Sequence, residues 1–178
     1  MISQIRMVPL VLVFLLFAFH ALARQSAEQG GPQCRHKTSS SQMDHEAMME
    51  RGEGRMGFYQ TKTTHHFLLK ADGGVIAVSA NDPKDAATRD QIRMHLSHIA
   101  RAFSQGDFDI PMFVHDQTPP GVAEMKRLQG VITYRYEKSD GGGRVIVLSN
   151  SAKAVGAIHD FLKFQIREHK TGDPLKVE

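Results

Sequence analysis

Two stretches of this chain, GGVIAVSAND at 73–82 and GGGRVIVLSN at 141–150, share one design. Each opens on glycines, runs through β-branched residues, reaches a Ser/Asn-rich stop and is followed by a helical pattern. This repetition constrains the fold more than any other feature. A β-leaning segment precedes each stretch, FYQTKTTHHFLLK at 58–70 and VITYRYEK at 131–138. Turn residues sit between the partners, at Asp72-Gly73-Gly74 and at 140–143, where glycine supplies the positive φ of a tight hairpin. The order is therefore ββα–loop–ββα. One hairpin–helix unit cannot bury its own apolar face, whereas two placed side by side can. The expected fold is α+β: a four-stranded antiparallel sheet with two helices on one face, spanning residues 57–172.

The helical patterns are explicit. After Asn81-Asp82-Pro83 a helix is expected from about Asp85 to Ser104, with Ile92, Leu96, Ile99 and Phe103 at i, i+4, i+7 and i+11. Gly106 is its expected stop. Asn150-Ser151 caps the last helix, whose stripe is Val155, Ile158, Leu162 and Ile166. Between the two units, QGDFDIPMFVHDQTPPG at 105–121 carries three prolines and reads as a loop, followed by a short helix over 122–128.

Both ends differ from this core. Arg6 precedes an apolar run from Met7 to Phe19, and Ala21-Leu22-Ala23 supplies a small-x-small cleavage pattern. Together these read as a secretory signal over residues 1–23, implying a periplasmic or secreted protein that meets the membrane only during export. Residues 24–56 have almost no aliphatic content and read as a flexible His/Met-rich tail, with a short helical turn near 43–50. Residues 173–178 read as a C-terminal tail. The net charge of +3 falls to +2 once Arg6 is removed, and no basic run interleaves with aromatics, so nucleic acid is not an expected partner. Cys34 is the only cysteine, so it stays free, binds metal or bridges a homodimer.

The chemistry this sequence advertises is histidine and methionine. In the tail, Cys34, His36, Met43, His45, Met48, Met49 and Met56 are soft or borderline ligands in close succession. Thiolate and thioether favour Cu(I), and imidazole suits both copper states. In the folded part, period-2 alternation puts His65 on the helix-facing side of its strand and His66 toward water. His95 and His98 lie at i and i+3 on a ridge flanking the buried stripe, a spacing that lets two imidazoles meet one ion. Met112 and His115 follow on the proline loop. His159 lies within the last helix's buried stripe, and His169 prolongs it. The expected metal set is thus His65, His95, His98, Met112 and His115 together with the tail ligands, with copper ahead of zinc. A His–carboxylate pair built from His115, Asp107, Asp109 and Asp116 is the acid/base option.

The segment Met43-Asp-His45-Glu-Ala-Met48-Met49 resembles the Met/His segments of exported copper- and silver-handling proteins. The folded part, from MGFYQTKTTHHFLLKADGG through IRMHLSHIARAF and PMFVHDQTPPG to IHDFLKFQIREHKTGD, resembles a family of small exported bacterial proteins of unsettled function. No nucleophile elbow, H-E-x-x-H, Walker loop or dinucleotide fingerprint is present, so the sequence leans away from an enzyme. The leading expectation is an exported metal-binding protein that binds, stores or transfers copper. The alternative is a non-enzymatic ligand- or partner-binding module with structural histidines, and the third reading is a small metal-dependent or acid/base enzyme.

Overall fold

A computed structural model describes residues 40–177. The chain divides into residues 1–36 and 37–178, and every described residue lies in the second unit. The expected signal peptide, Cys34 and His36 fall outside the described residues, as does the side chain of Met43. Among the described residues the α-helices and strands follow in the order α1 (Ser40–Met56), β1 (Thr63–Lys70), β2 (Gly73–Ala80), α2 (Ala86–Ser104), α3 (Asp109–His115), α4 (Val122–Arg127), β3 (Thr133–Lys138), β4 (Gly142–Leu148) and α5 (Ala152–Glu168). The strands form one antiparallel sheet in the order β1-β2-β4-β3. The two hairpins therefore meet along their second strands, β2 against β4.

Alternation sorts the sheet into two faces. Phe67, Leu69, Ile76, Val78, Val145 and Val147 are buried, while Thr64, His66, Arg135 and Arg144 between them are exposed. On the buried row α2 packs against β3 and β4, and α5 against β1 and β2. The stripe Ile92, Leu96, Ile99 and Phe103 is buried, as are Ile158, Leu162 and Ile166. Asp85 caps α2 by accepting from the Thr88 backbone N–H at 2.9 Å, and Ser151 caps α5. Among the described residues no helix is long and apolar enough to cross a membrane.

Three elements depart from the sequence reading. The first hairpin turns at Ala71-Asp72, and Gly73 already belongs to β2. Its glycine is required by the neighbouring strand rather than by the turn: at φ +148° a Cβ there would sit 2.0 Å from the Val147 carbonyl oxygen. Secondly, the proline loop contains α3. Pro111 is its third residue, where a missing N–H leaves no hydrogen bond broken, and the Asp107 carboxylate accepts from the Asp109 N–H at 2.9 Å.

The third departure is the largest. Residues 40–56 were expected as flexible tail with one helical turn, and they form the seventeen-residue helix α1. Its inward stripe is His45, Met48, Gly52 and Met56, spaced i, i+3, i+7 and i+11 but built from residues an aliphatic scan does not count. Met48 is buried, the Arg51 guanidinium donates to the Val114 carbonyl at 2.9 Å, and the Gln60 amide donates to the Met49 carbonyl at 3.2 Å. The C-terminal segment is likewise engaged: Asp173 accepts from the Phe67 N–H at 2.9 Å and pairs with His66 at 2.8 Å, capping the free edge of β1.

Candidate functional site

Between the sheet and the helices lies a small cavity of about 70 Å3. Its floor is apolar, with Phe67, Ile76 and Val78 from the sheet and Leu96, Ile99 and Phe103 from α2. Four imidazoles line it from four separate elements: His65 on β1, His95 on α2, His115 at the end of α3 and His169 immediately after α5. A fifth, His45 on α1, lines a neighbouring recess with Met49, His65 and His169.

Local structure fixes each ring. His65 pairs with Val78 and occupies the buried parity of β1. His95 stands beside the α2 stripe, edge-on to Phe58 at a centroid distance of 5.6 Å. His115 is buried because Asp116, in the left-handed region at φ 51°, ends α3 and turns the chain away. His169 sits at the C-cap of α5, its N–H on the Gln165 carbonyl. Its ring is central: 5.6 Å from His65, 5.2 Å from His115 and 5.4 Å from Phe67.

Burial holds these rings neutral. It pushes His65 and His95 down to about 4, with the neighbouring histidine charges adding to the effect. His115 is lowered by burial, and His169 well below 6.5 by burial and then by His65, His115 and His45. Two rings are also fixed in tautomer. His115 Nε2–H donates to Gln165 Oε1 at 3.0 Å, which leaves Nδ1 a buried lone pair with no partner. His45 Nδ1–H donates to the Glu168 carbonyl at 3.1 Å, which leaves Nε2 as its lone pair.

The sequence-derived set is therefore only partly assembled. His65, His95 and His115 line one cavity, and α1 brings His45 and Met49 up to His65 and His169. His98 is exposed on the outer flank of α2, and Met112 packs against the core; neither lines the cavity. Met48 is buried and lines a recess with Arg51 and His115. His159 donates through Nε2–H to the Lys70 and Gly73 carbonyls, 2.9 and 3.0 Å away, so it ties α5 to the first hairpin. Because carbonyls only accept, that nitrogen carries the proton. The acid/base option does not form around His115, whose partner is the Gln165 amide while Asp116 is exposed. Two residues of the site were not in the sequence-derived set: Gln165, and His169, which the sequence placed only as a prolongation of the α5 stripe. The usable signal was the α5 stripe, which His169 extends one turn past Gln165 and Ile166.

Among the described residues, no three His, Cys, Asp or Glu side chains are already disposed to hold one metal ion. The imidazoles stand in neighbouring pairs. No family model, curated protein or solved structure matches the chain.

Proposed function

We propose that this is an exported metal-binding protein whose histidine cluster takes copper. The observation that carries the reading is a pair of oriented imidazoles, His115 and His45, each of which lines a recess together with His169. His115 gives its Nε2–H to Gln165 and His45 gives its Nδ1–H to a backbone carbonyl, each retaining one lone pair. A ligating imidazole almost always donates its other N–H to such an outer partner, which fixes the tautomer and raises the basicity of the free nitrogen. The ligands assigned here are His45, His65, His115 and His169, with His95 at the edge of the set. Burial supports the reading further, because only neutral imidazole coordinates and burial holds the His65 and His169 rings neutral well below pH 7. Copper is preferred to zinc because the donors that line these two recesses among the described residues are imidazole and the thioethers of Met49 and Met56. Cu(I) accepts two or three such donors, which suits rings arranged in pairs. The apolar run and cleavage pattern of residues 1–23 support export.

The test is retention of metal. The purified protein is equilibrated with copper, with and without ascorbate, then with zinc, desalted and assayed for bound metal. Copper is expected to remain at one equivalent and zinc to be lost more readily. His115→Ala and His169→Ala should each weaken copper binding at least tenfold, and His98→Ala should not. Absence of retained copper, or equal retention by the His169→Ala protein, would overturn the reading.

A further inference from the structure

Among the described residues, one edge of the sheet is closed and the other is open. Along β1 the Asp173 carboxylate accepts from the Phe67 N–H at 2.9 Å and pairs with His66. The other edge is β3, TYRYEK at 133–138. Its register with β4 runs unbroken from Thr133↔Leu148 to Lys138↔Gly143, so no bulge turns it away, and it holds no proline. Ser139 and Gly142 exchange both backbone hydrogen bonds, at 3.1 and 3.3 Å. Such pairs alternate along an antiparallel ladder, so Glu137, Arg135 and Thr133 also bond to β4. Tyr134, Tyr136 and Lys138 therefore turn their N–H and carbonyl groups outward, and among the described residues nothing bonds to them.

We infer that β3 pairs antiparallel with β3 of a second copy of this chain, about a twofold axis at Tyr136, joining the two sheets into one. The charge pattern of the strand carries the inference. Arg135 and Glu137 flank Tyr136 on the face of the sheet that no helix covers, one of each sign. Glu137 is held there by Arg135 and Arg144, at 2.9 and 2.7 Å, before any partner arrives. In the pairing centred on Tyr136, Arg135 stands opposite the partner's Glu137, and the symmetry repeats the contact. Opposite charges directly across two strands stabilise the pair, and like charges destabilise it. Sliding by two residues either way sets Arg135 or Glu137 opposite itself, so one register is favoured. The backbone suits that same register. Tyr136 meets the partner's Tyr136, and Tyr134 meets the partner's Lys138, as narrow pairs that exchange both of their hydrogen bonds. The outward groups of all three residues are thereby satisfied. Lys138 also brings a cation to the ring of the partner's Tyr134. Repeated charges of one sign would repel a second copy, whereas this strand carries a matched pair. None of these residues lines the histidine recesses, so the inference stands apart from the copper reading.

The test is sedimentation of the purified protein over a range of concentrations, in EDTA and a reducing agent, so that neither metal nor Cys34 can bridge two chains. A reversible monomer–dimer equilibrium is expected, and a weak one because the contact is small. Arg135→Glu and Glu137→Arg each set like charges opposite one another. Each should raise the dissociation constant at least tenfold while still melting as a folded domain. Mixed in equal amounts, the two variants regain opposite charges at both contacts and should form a heterodimer. Amide exchange of the unaltered protein gives a reading that needs no variant. The N–H groups of Tyr134, Tyr136 and Lys138 should be protected at high concentration and lose that protection on dilution, while those of Arg135 and Glu137 stay protected throughout. A protein monomeric at every concentration would overturn the inference. So would a dimer that Arg135→Glu leaves unweakened, folded variants that fail to pair on mixing, or exchange at the three amides that is independent of concentration.

Discussion

At the scale of single residues, the histidines divide by what their nitrogens touch rather than by where they stand in the sequence. His159 and His115 both lie among buried positions, yet the two carbonyls that accept from His159 are the strand residues flanking the β1–β2 turn. Replacing it removes a fastener between α5 and the sheet. His159→Ala should cost about 1–2 kcal/mol in urea denaturation and leave copper retention intact. Gly73→Ala should cost more, roughly 3 kcal/mol, because it combines a disfavoured φ with a Cβ pressed on the Val147 carbonyl. Equal stability of the Gly73→Ala protein would mean that β2 and β4 are not held at this spacing. Neither cost is visible in residue type alone. A histidine in a helical stripe and a glycine beside a turn look alike in sequence whether they fasten, ligate or merely fill, since the deciding partners are about eighty residues away.

At the scale of elements, what repeats or alternates was legible, and what depends on unusual residues was not. The hairpins, α2 and α5 followed from β-branched runs and from Ile/Leu stripes, which mark burial through hydrophobicity itself. For α1 the inward face is His45, Met48, Gly52 and Met56, and its attachment is partly polar, through Arg51 and Gln60. Such a helix is stabilised by tertiary contacts and carries little hydrophobic signal in isolation. The candidate site was half legible for the same reason. Parity on β1 placed His65 correctly, but the choice between His95 and His98 turned on about 60° of helix rotation. Helix α1 is then a structural part of the domain. Removing residues 24–56 should lower the melting temperature by several degrees, and Met48→Ala should cost about 2 kcal/mol or more. A truncated protein melting with the full chain would show that α1 does not dock in solution.

At the scale of the whole molecule, the histidine cluster couples stability to pH. His65 and His95 fall to about 4 in the folded protein against 6.5 when exposed, because burial disfavours the charged ring. The unfolded chain therefore binds more protons than the native one between those two values. Stability is fully present above pH 6.5 and is lost as the pH falls toward 4. Each of these two displacements corresponds to roughly 3 kcal/mol when fully developed, and His169 and His115 act in the same direction. Their sum is comparable with the total stability of an ordinary domain, about 5–15 kcal/mol. The metal-free protein should accordingly unfold between pH 6 and 4, earlier than the protonation of carboxylates alone would bring about. Denaturation midpoints measured at half-unit steps should drop steeply over that range. His95→Leu, which removes one titrating ring, should flatten the slope. Copper opposes the same transition, because a coordinated imidazole cannot take a proton. At a hundredfold excess over its dissociation constant the ion should add about 2.7 kcal/mol at neutral pH and move acid unfolding to lower pH. A midpoint unchanged from pH 7 to 4.5 would show that the rings are solvated in the folded protein. A normal acid transition that copper leaves unmoved would instead place the ion elsewhere than on these imidazoles.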